Sequence, residues 1–187
     1  MNQPLVTISI PTYNSEKTLA LCLTAVKNQT YKNIEINIIY GSTRDKTLTI
    51  IKDFDIQKAK FCKGSLLKSR YEGVKLANGK YILTLDSDQI LDRTSIARAV
   101  KLLEKHNLDM LAFEETVYSR KTILEKFFYY DRKLINSVND LSPFTGVILP
   151  RFFRTALLKK AYSSIPKNYY SNTGGPDHAI VYFEAWL

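Results

Sequence analysis

Short apolar runs rich in β-branched residues alternate along this chain with stretches whose apolar positions recur at three- and four-residue spacing. Leu5–Ile10 is the first such run, a strand predicted to stop at Pro11, whose ring fixes φ and removes the N–H. After a turn at Thr12–Asn14, the residues Leu19, Cys22, Leu23 and Val26 fall on one face of a helix that starts at Ser15, with Glu16 in its first turn. The unit then repeats. Ile34–Tyr40 reads as a second, largely buried strand broken by Gly41-Ser42-Thr43, and Leu48, Ile50 and Ile51 resume a helical pattern after Asp45. A third short strand is expected around Ala59–Cys62. It is followed by a helix carrying Leu66, Leu67, Arg70, Val74 and Ala77, with Asn78-Gly79 as its stop. Tyr81–Leu85 is an almost wholly apolar strand that ends at Asp86-Ser87-Asp88.

The remainder is less regular. Thr94–Lys105 reads as a helix closed by His106-Asn107, Leu108–Phe113 as a strand and Ile123–Ile135 as a helix. Val147–Phe153 is strand-like, Thr155–Tyr162 a short helix, and Pro166–Pro176 a polar loop leading into a final helical pattern from Asp177. Strands that alternate with helices in this way imply an α/β domain with a mostly parallel central sheet flanked by helices. In such sheets ligands bind beyond the carboxyl ends of the strands, and the chain's polar loops, rich in Gly, Asp, Ser and Asn, stand at those ends. The pattern stops at Leu187 without a helix cap, so the expectation is a catalytic domain cut from something longer.

Charge sharpens this picture. With 187 residues, 27 Lys+Arg and 18 Asp+Glu, the net charge is +9, which suits polyanionic partners: nucleic acid, anionic lipid headgroups or a phosphorylated small molecule. No apolar run approaches the roughly 18–20 residues that span a bilayer, and the N-terminus lacks a signal-peptide core, so a cytoplasmic protein is expected. Cys22 and Cys62 sit in apolar-periodic segments with no C-x-x-C partner and read as buried free thiols. A zinc site would have to recruit both histidines, His106 and His178, together with carboxylates, which is a weak proposal.

Asp86 and Asp88 are delivered by a buried strand to the ligand-facing edge, and hard oxygen ligands of this kind suit Mg²⁺ or Mn²⁺. The same tripeptide is also an ordinary turn before the next helix, and taken alone it does not separate the two. Its context does. LVTISIPTYN at Leu5–Asn14, the Gly41–Thr47 loop, SRYEGVKLANGKYILTL at Ser69–Leu85 and then the D-x-D motif occur in order. In this combination the sequence resembles the family 2 glycosyltransferases of the GT-A fold, well over Leu5–Ala97 and loosely beyond. The resemblance implies a Rossmann-like three-layer sandwich forming a single catalytic domain. About residues 1–105 would form the nucleotide-sugar donor part and about 106–187 the acceptor part. It further implies that Pro11, Thr12 and Tyr13 floor the base pocket, that Arg70 approaches the base or diphosphate, that Asp86 faces the ribose or the metal, and that Asp88 is the direct ligand of Mn²⁺ or Mg²⁺.

Arg44, Lys46, Lys63 and Lys68 lie in or near the same loops, where a solvated surface role is the expectation for the lysines. By the same resemblance an inverting transfer takes its base from Asp177, which also fits a helix N-cap, with His178 beside it as a metal or diphosphate contact or an exposed residue. The family's usual acidic pair before Gly-Ser is replaced by Ile39 and Tyr40, so either the base is recognised by stacking on Tyr13 and Tyr40 and by backbone groups, or the donor differs from the usual uridine type, or donor binding is impaired and the domain is degenerate. Arg151 and Arg154 are candidate acceptor or diphosphate contacts, near the aromatic run Phe127–Tyr130, at least half of which is expected in the core. The implied function is metal-dependent transfer of a sugar from a nucleotide diphosphate to a glycan or lipid-linked acceptor, with peripheral membrane association. The alternatives are a degenerate GT-A domain or a basic nucleic-acid-binding module. Against the latter, no RNA-binding signature occurs, and no nucleic-acid partner is expected.

Overall fold

A computed structural model describes residues 3–137, 142, 148–172 and 177–187, the side chains of 171, 172, 177 and 178 excepted. Its six strands are β1 (Val6–Thr12), β2 (Ile34–Tyr40), β3 (Lys58–Phe61), β4 (Tyr81–Thr84), β5 (Met110–Ala112) and β6 (Pro150–Arg154). They form one sheet in the order β3-β2-β1-β4-β6-β5. Strands β1 to β4 pair in parallel, whereas β6 runs antiparallel to both β4 and β5. Strand β5 is therefore parallel to β4, and its carboxyl end opens on the same edge as the ends of β1, β2 and β4.

The helices are α1 (Leu19–Lys27), α2 (Thr47–Asp53), α3 (Leu66–Lys75), α4 (Ser95–His106), α5 (Ile123–Asn136), α6 (Thr155–Ser164), α7 (Tyr169–Asn172) and α8 (Asp177–Trp186). Strand alternation divides the core between the two sheet faces. Val6, Ile8, Ile10, Leu83 and Phe152 join Leu19, Leu23, Ile96 and Leu103 on one side. On the other, Ile82 and Phe153 meet Leu67, Val74, Leu158, Tyr162 and Val181. This is the three-layer α/β sandwich expected from the sequence.

Two local expectations are corrected. Pro11 lies within β1, opposite Ile39, because β4 pairs with β1 only as far as Ser9 and the missing N–H interrupts no ladder on that side. Helix α1 begins at Leu19, four residues after Ser15; the residues between form a turn in which the Ser15 carbonyl accepts from the Thr18 and Leu19 N–H groups, while the Ser15 and Glu16 N–H groups donate to Thr47 and Asp45. The left-handed backbone of Asn107 closes α4, as its sequence position implied.

The approach of α3 to the sheet is set by Gly73: a Cβ built there would lie 2.0 Å from Ser9 Oγ and 3.2 Å from Ser9 Cβ. Glu35 fastens the central strands at the opposite edge from the loops. Its carboxylate accepts from Thr7 Oγ1 of β1 at 2.5 Å, Lys58 Nζ of β3 at 2.5 Å and the backbone of Asn78 at 2.7 Å. Burial pushes Glu35 up, but these hydrogen bonds outweigh it and hold the carboxyl below the ordinary glutamate value of 4.5.

Gly73→Ala should cost about 1–3 kcal/mol by overpacking, read as a lowered melting temperature. The same substitution in a Ser9→Ala background should cost less, because the nearest obstructing atom is gone; equal losses would show that α3 is not held off by that contact. Because the folded Glu35 value is depressed, the stability it contributes is present above the ordinary value and is lost as pH falls through the lower folded one. Glu35→Gln should therefore flatten the acid limb of a urea-denaturation pH series while leaving the neutral-to-alkaline limb parallel to wild type.

Candidate active site

At the carboxyl edge of the sheet the loops after β1, β2 and β4 and the start of α3 enclose a cavity of about 1090 Å³. Pro11, Thr12, Tyr13, Arg70, Asp86 and Asp88, separated by up to 77 positions in the sequence, all line it. The loops are latched to one another. Ser15 Oγ and Ser87 Oγ are 2.8 Å apart, joining the β1 and β4 loops, and Asn14 Oδ1 accepts from the backbone of Arg44 at 2.9 Å. Asp45 accepts from Thr43 and from the backbones of Glu16 and Thr47. Its slight desolvation works upward, yet these bonds hold the Asp45 carboxyl far below the usual carboxylate range. It is a fixed anion that shapes the cavity wall.

Tyr13 is 64% exposed and its ring covers Gly41, where a Cβ would sit 3.1 Å from Tyr13 Cδ2. Opposite it, Arg70 is almost wholly buried on α3 and donates from Nη2 to Asp86 Oδ1 at 2.5 Å. Arg151 of β6 donates from Nη1 to Asp86 Oδ2 at 2.9 Å and brings Nη2 to 3.6 Å from Glu115. Gln89 buttresses the same cluster, accepting from the Asp86 backbone at 3.0 Å and donating to Glu115 at 2.9 Å. Both Asp86 oxygens thus face guanidinium groups, so in this structure Asp86 is the counter-ion of two arginines.

Asp88 differs. Exposed, it makes no hydrogen bond or ion pair to the described residues, and it lines both the large cavity and a second one of about 520 Å³. Arg151 and residues 113–118, which follow β5, line that second cavity. Cys22 lies behind the motif. Burial, reinforced by the Asp88 and Asp86 carboxylates, pushes its thiol up to about 12, and both cysteines are buried and free.

Other expected contacts fall elsewhere. Tyr40 does not line the cavity; its ring packs against Phe61 at 5.8 Å, and Ile39 is fully buried. Among the cations of these loops, Arg44 and Arg70 line the cavity, whereas Lys46, Lys63 and Lys68 do not. Arg154 is corrected outright. It pairs in register with Tyr81, at the beginning of β4, and bonds Asp109 and Asn107 at the opposite edge of the sheet. Asp177 and His178 open α8, but their side chains lie outside the described residues.

Residues 7–171 match the family model described as Glycosyl transferase family 2. The chain belongs to this family. Among curated relatives of this family 2 chain, the Escherichia coli protein UDP-Glc:alpha-D-GlcNAc-diphosphoundecaprenol beta-1,3-glucosyltransferase WfgD is 27% identical over 131 residues, covering 68% of this chain and 52% of its own. WfaP of the same organism, named for the same reaction, is 39% identical over 105 residues, covering 54% of this chain and 41% of its own. The chain spans about a third to a half of the length of the first curated relatives it matches. The fold of S. aureus TarS residues 1–349, solved with UDP, superimposes with a TM-score of 0.73 at 21% identity, covering 96% of this chain and 55% of that one. The architecture is accordingly GT-A.

Gln89 and Glu115 were missed in the sequence. Gln89, three residues after Asp86, carries the signal of a side chain folding back on a turn. Glu115 follows a strand whose direction depends on β6 and so gave no signal of its own.

For this family 2 chain, Asp86→Asn should lower stability by about 3 kcal/mol in urea unfolding, because it strips a buried guanidinium of its counter-ion. Asp88→Asn, which breaks no contact, should change stability by less than about 0.5 kcal/mol. Equal effects would show that Asp86 does not hold the arginines.

Proposed function

We propose that the chain is the catalytic domain of a glycosyltransferase that binds a nucleoside diphosphate sugar, of the uridine type, in the large cavity. The observation that carries this reading is the convergence there of an exposed aromatic ring, Tyr13, two arginines, Arg44 and Arg70, and a carboxylate, Asp88, that pairs with none of the described residues. UDP in the name of WfgD and in the TarS complex supports the choice of nucleoside. The face of Tyr13 stacks on the base, replacing the pairing that an acidic residue before Gly41 would give. Arg70 and Arg151, held by Asp86, keep a preorganised positive potential beside the diphosphate, at no cost in reorganisation when the leaving group develops charge.

Asp88 is the residue that would hold Mg²⁺ or Mn²⁺. One carboxylate with open positions suits a cation whose shell is completed by water and substrate phosphates. Bound there, the cation would supply Lewis-acid stabilisation of the departing diphosphate. We assign the acceptor to the second cavity, which meets the first at Asp88, and favour a glycan or lipid-linked sugar, as in the name of WfgD. Asp177, at the start of α8, is proposed as the base. It takes the proton as the acceptor oxygen bonds to the anomeric carbon and the bond from that carbon to the diphosphate breaks, inverting the centre.

A thermal-shift series with UDP, UDP-sugars and single-stranded RNA, each with Mn²⁺, Mg²⁺ or chelator, tests the reading. UDP with metal should raise the melting temperature by linkage, and Asp88→Asn should remove the metal-dependent part. Stabilisation by RNA and by no nucleotide would sink it. Asp177→Asn should lower turnover about 10²–10⁴-fold with donor binding retained.

A further inference from the structure

Helix α5 is inside out. A capping box fixes its start, with Thr122 and Glu125 each bonded to the other's backbone, yet the helix has no buried residue. At 100° per residue, Ile123, Phe127, Tyr130 and Leu134 share one face, and these four are between 64% and 89% exposed. The face turned toward the sheet is polar. Arg132 lies 3.8 Å from Glu115, and Asn136 donates to the Glu115 carbonyl at 2.9 Å. The aromatic run Phe127–Tyr130 is thus largely outside the core, contrary to its sequence reading, and only Tyr129 is half-covered, by the guanidinium of Arg120 at 4.3 Å. An amphipathic helix normally spends its apolar face on the protein interior; this one presents it to the surroundings.

The charges around the stripe indicate what covers it. Lys126 and Lys133, both exposed, border one edge, and Arg120 and Lys121 precede the helix. Glu125 is turned away, committed to the Ser119 hydroxyl and the Lys121 and Thr122 backbones. Asp131 borders the opposite edge of the stripe, so a second copy laid antiparallel on it would bring lysine edge against lysine edge, and only a parallel copy would set Asp131 beside the lysines. An anionic bilayer satisfies both parts, taking the apolar face into the headgroup boundary while the lysines reach its phosphates.

We propose that the outward face of α5 docks the protein on the surface of an anionic lipid bilayer. This is independent of the transferase reading and adds to it. The inward face of the same helix grips residues 114 and 115, which line the second cavity, so docking holds that cavity beside the membrane surface.

Co-sedimentation of the full chain with vesicles of phosphatidylcholine, alone or with phosphatidylglycerol, is the test. The chain should pellet with the anionic vesicles and not with the neutral ones, and added salt should weaken binding. Phe127→Ser with Leu134→Ser should weaken it at least about tenfold, and Lys126→Glu and Lys133→Glu about fivefold each, with unchanged thermal melting because all four side chains are exposed. The proposal is overturned if the anionic vesicles pellet nothing, or if both sets of variants bind them as wild type does. It is also overturned if sedimentation velocity finds a dimer that Phe127→Ser and Leu134→Ser disperse while vesicles have no effect, which would make the stripe a subunit contact.

Discussion

The Asp86 carboxylate, held between two guanidinium groups, is the interaction on which the site depends. Arg70 comes from the second helix face and Arg151 from the antiparallel strand, so one anion ties α3, the end of β4 and β6 together at the ligand edge. Without it, a nearly buried arginine would lose its carboxylate partner, at a cost of several kcal/mol. Gln89 and Glu115 extend the same grip to the segment after β5. The pair that shapes the large cavity therefore also positions the wall of the neighbouring one.

That grip separates the two carboxylates of the D-x-D motif. A single spacer residue after a strand gives them different neighbours: Asp86 meets two guanidinium groups, and Asp88 pairs with none of the described residues. The backbone that carries them is kept in place by contacts with no catalytic chemistry of their own, the Ser15–Ser87 hydroxyl pair and the carboxylate of Asp45. The close approach of α3 through Gly73, one helical turn beyond Arg70, sets how deep that arginine sits.

Much of this was legible before any coordinates. Periodicity placed the first four strands and their helices, because β1 and β4 are buried on both faces, β2 is apolar and largely covered, and each helix carries one apolar stripe. The rule that ligands meet parallel sheets at strand ends pointed to the loop of Asp86 and Asp88, whereas Pro11, Thr12, Tyr13 and Arg70 came from the family resemblance. What failed was what depends on contacts distant in sequence. Tyr40 has the composition of a stacking residue, but Phe61 of the neighbouring strand takes its ring. Arg151 and Arg154 are equivalent in the sequence, three residues apart, yet an extended strand of that length carries the second to the far edge of the sheet. The aromatic run of α5 read as core because hydrophobic periodicity cannot say which side of a helix meets the sheet.

The insertion of β6 between β4 and β5 also imposes an order on assembly. Strands β1 to β4 are contiguous in sequence and pair among themselves, whereas β5 has only β6 for a neighbour in the sheet and must wait some forty residues of synthesis for it. Until β6 docks, the second oxygen of Asp86 lacks the Arg151 guanidinium and the second cavity has no floor. A nascent chain can therefore pair β1 to β4 while the rest is still unformed, and arrival of one five-residue strand closes the sheet and brings in the second arginine together.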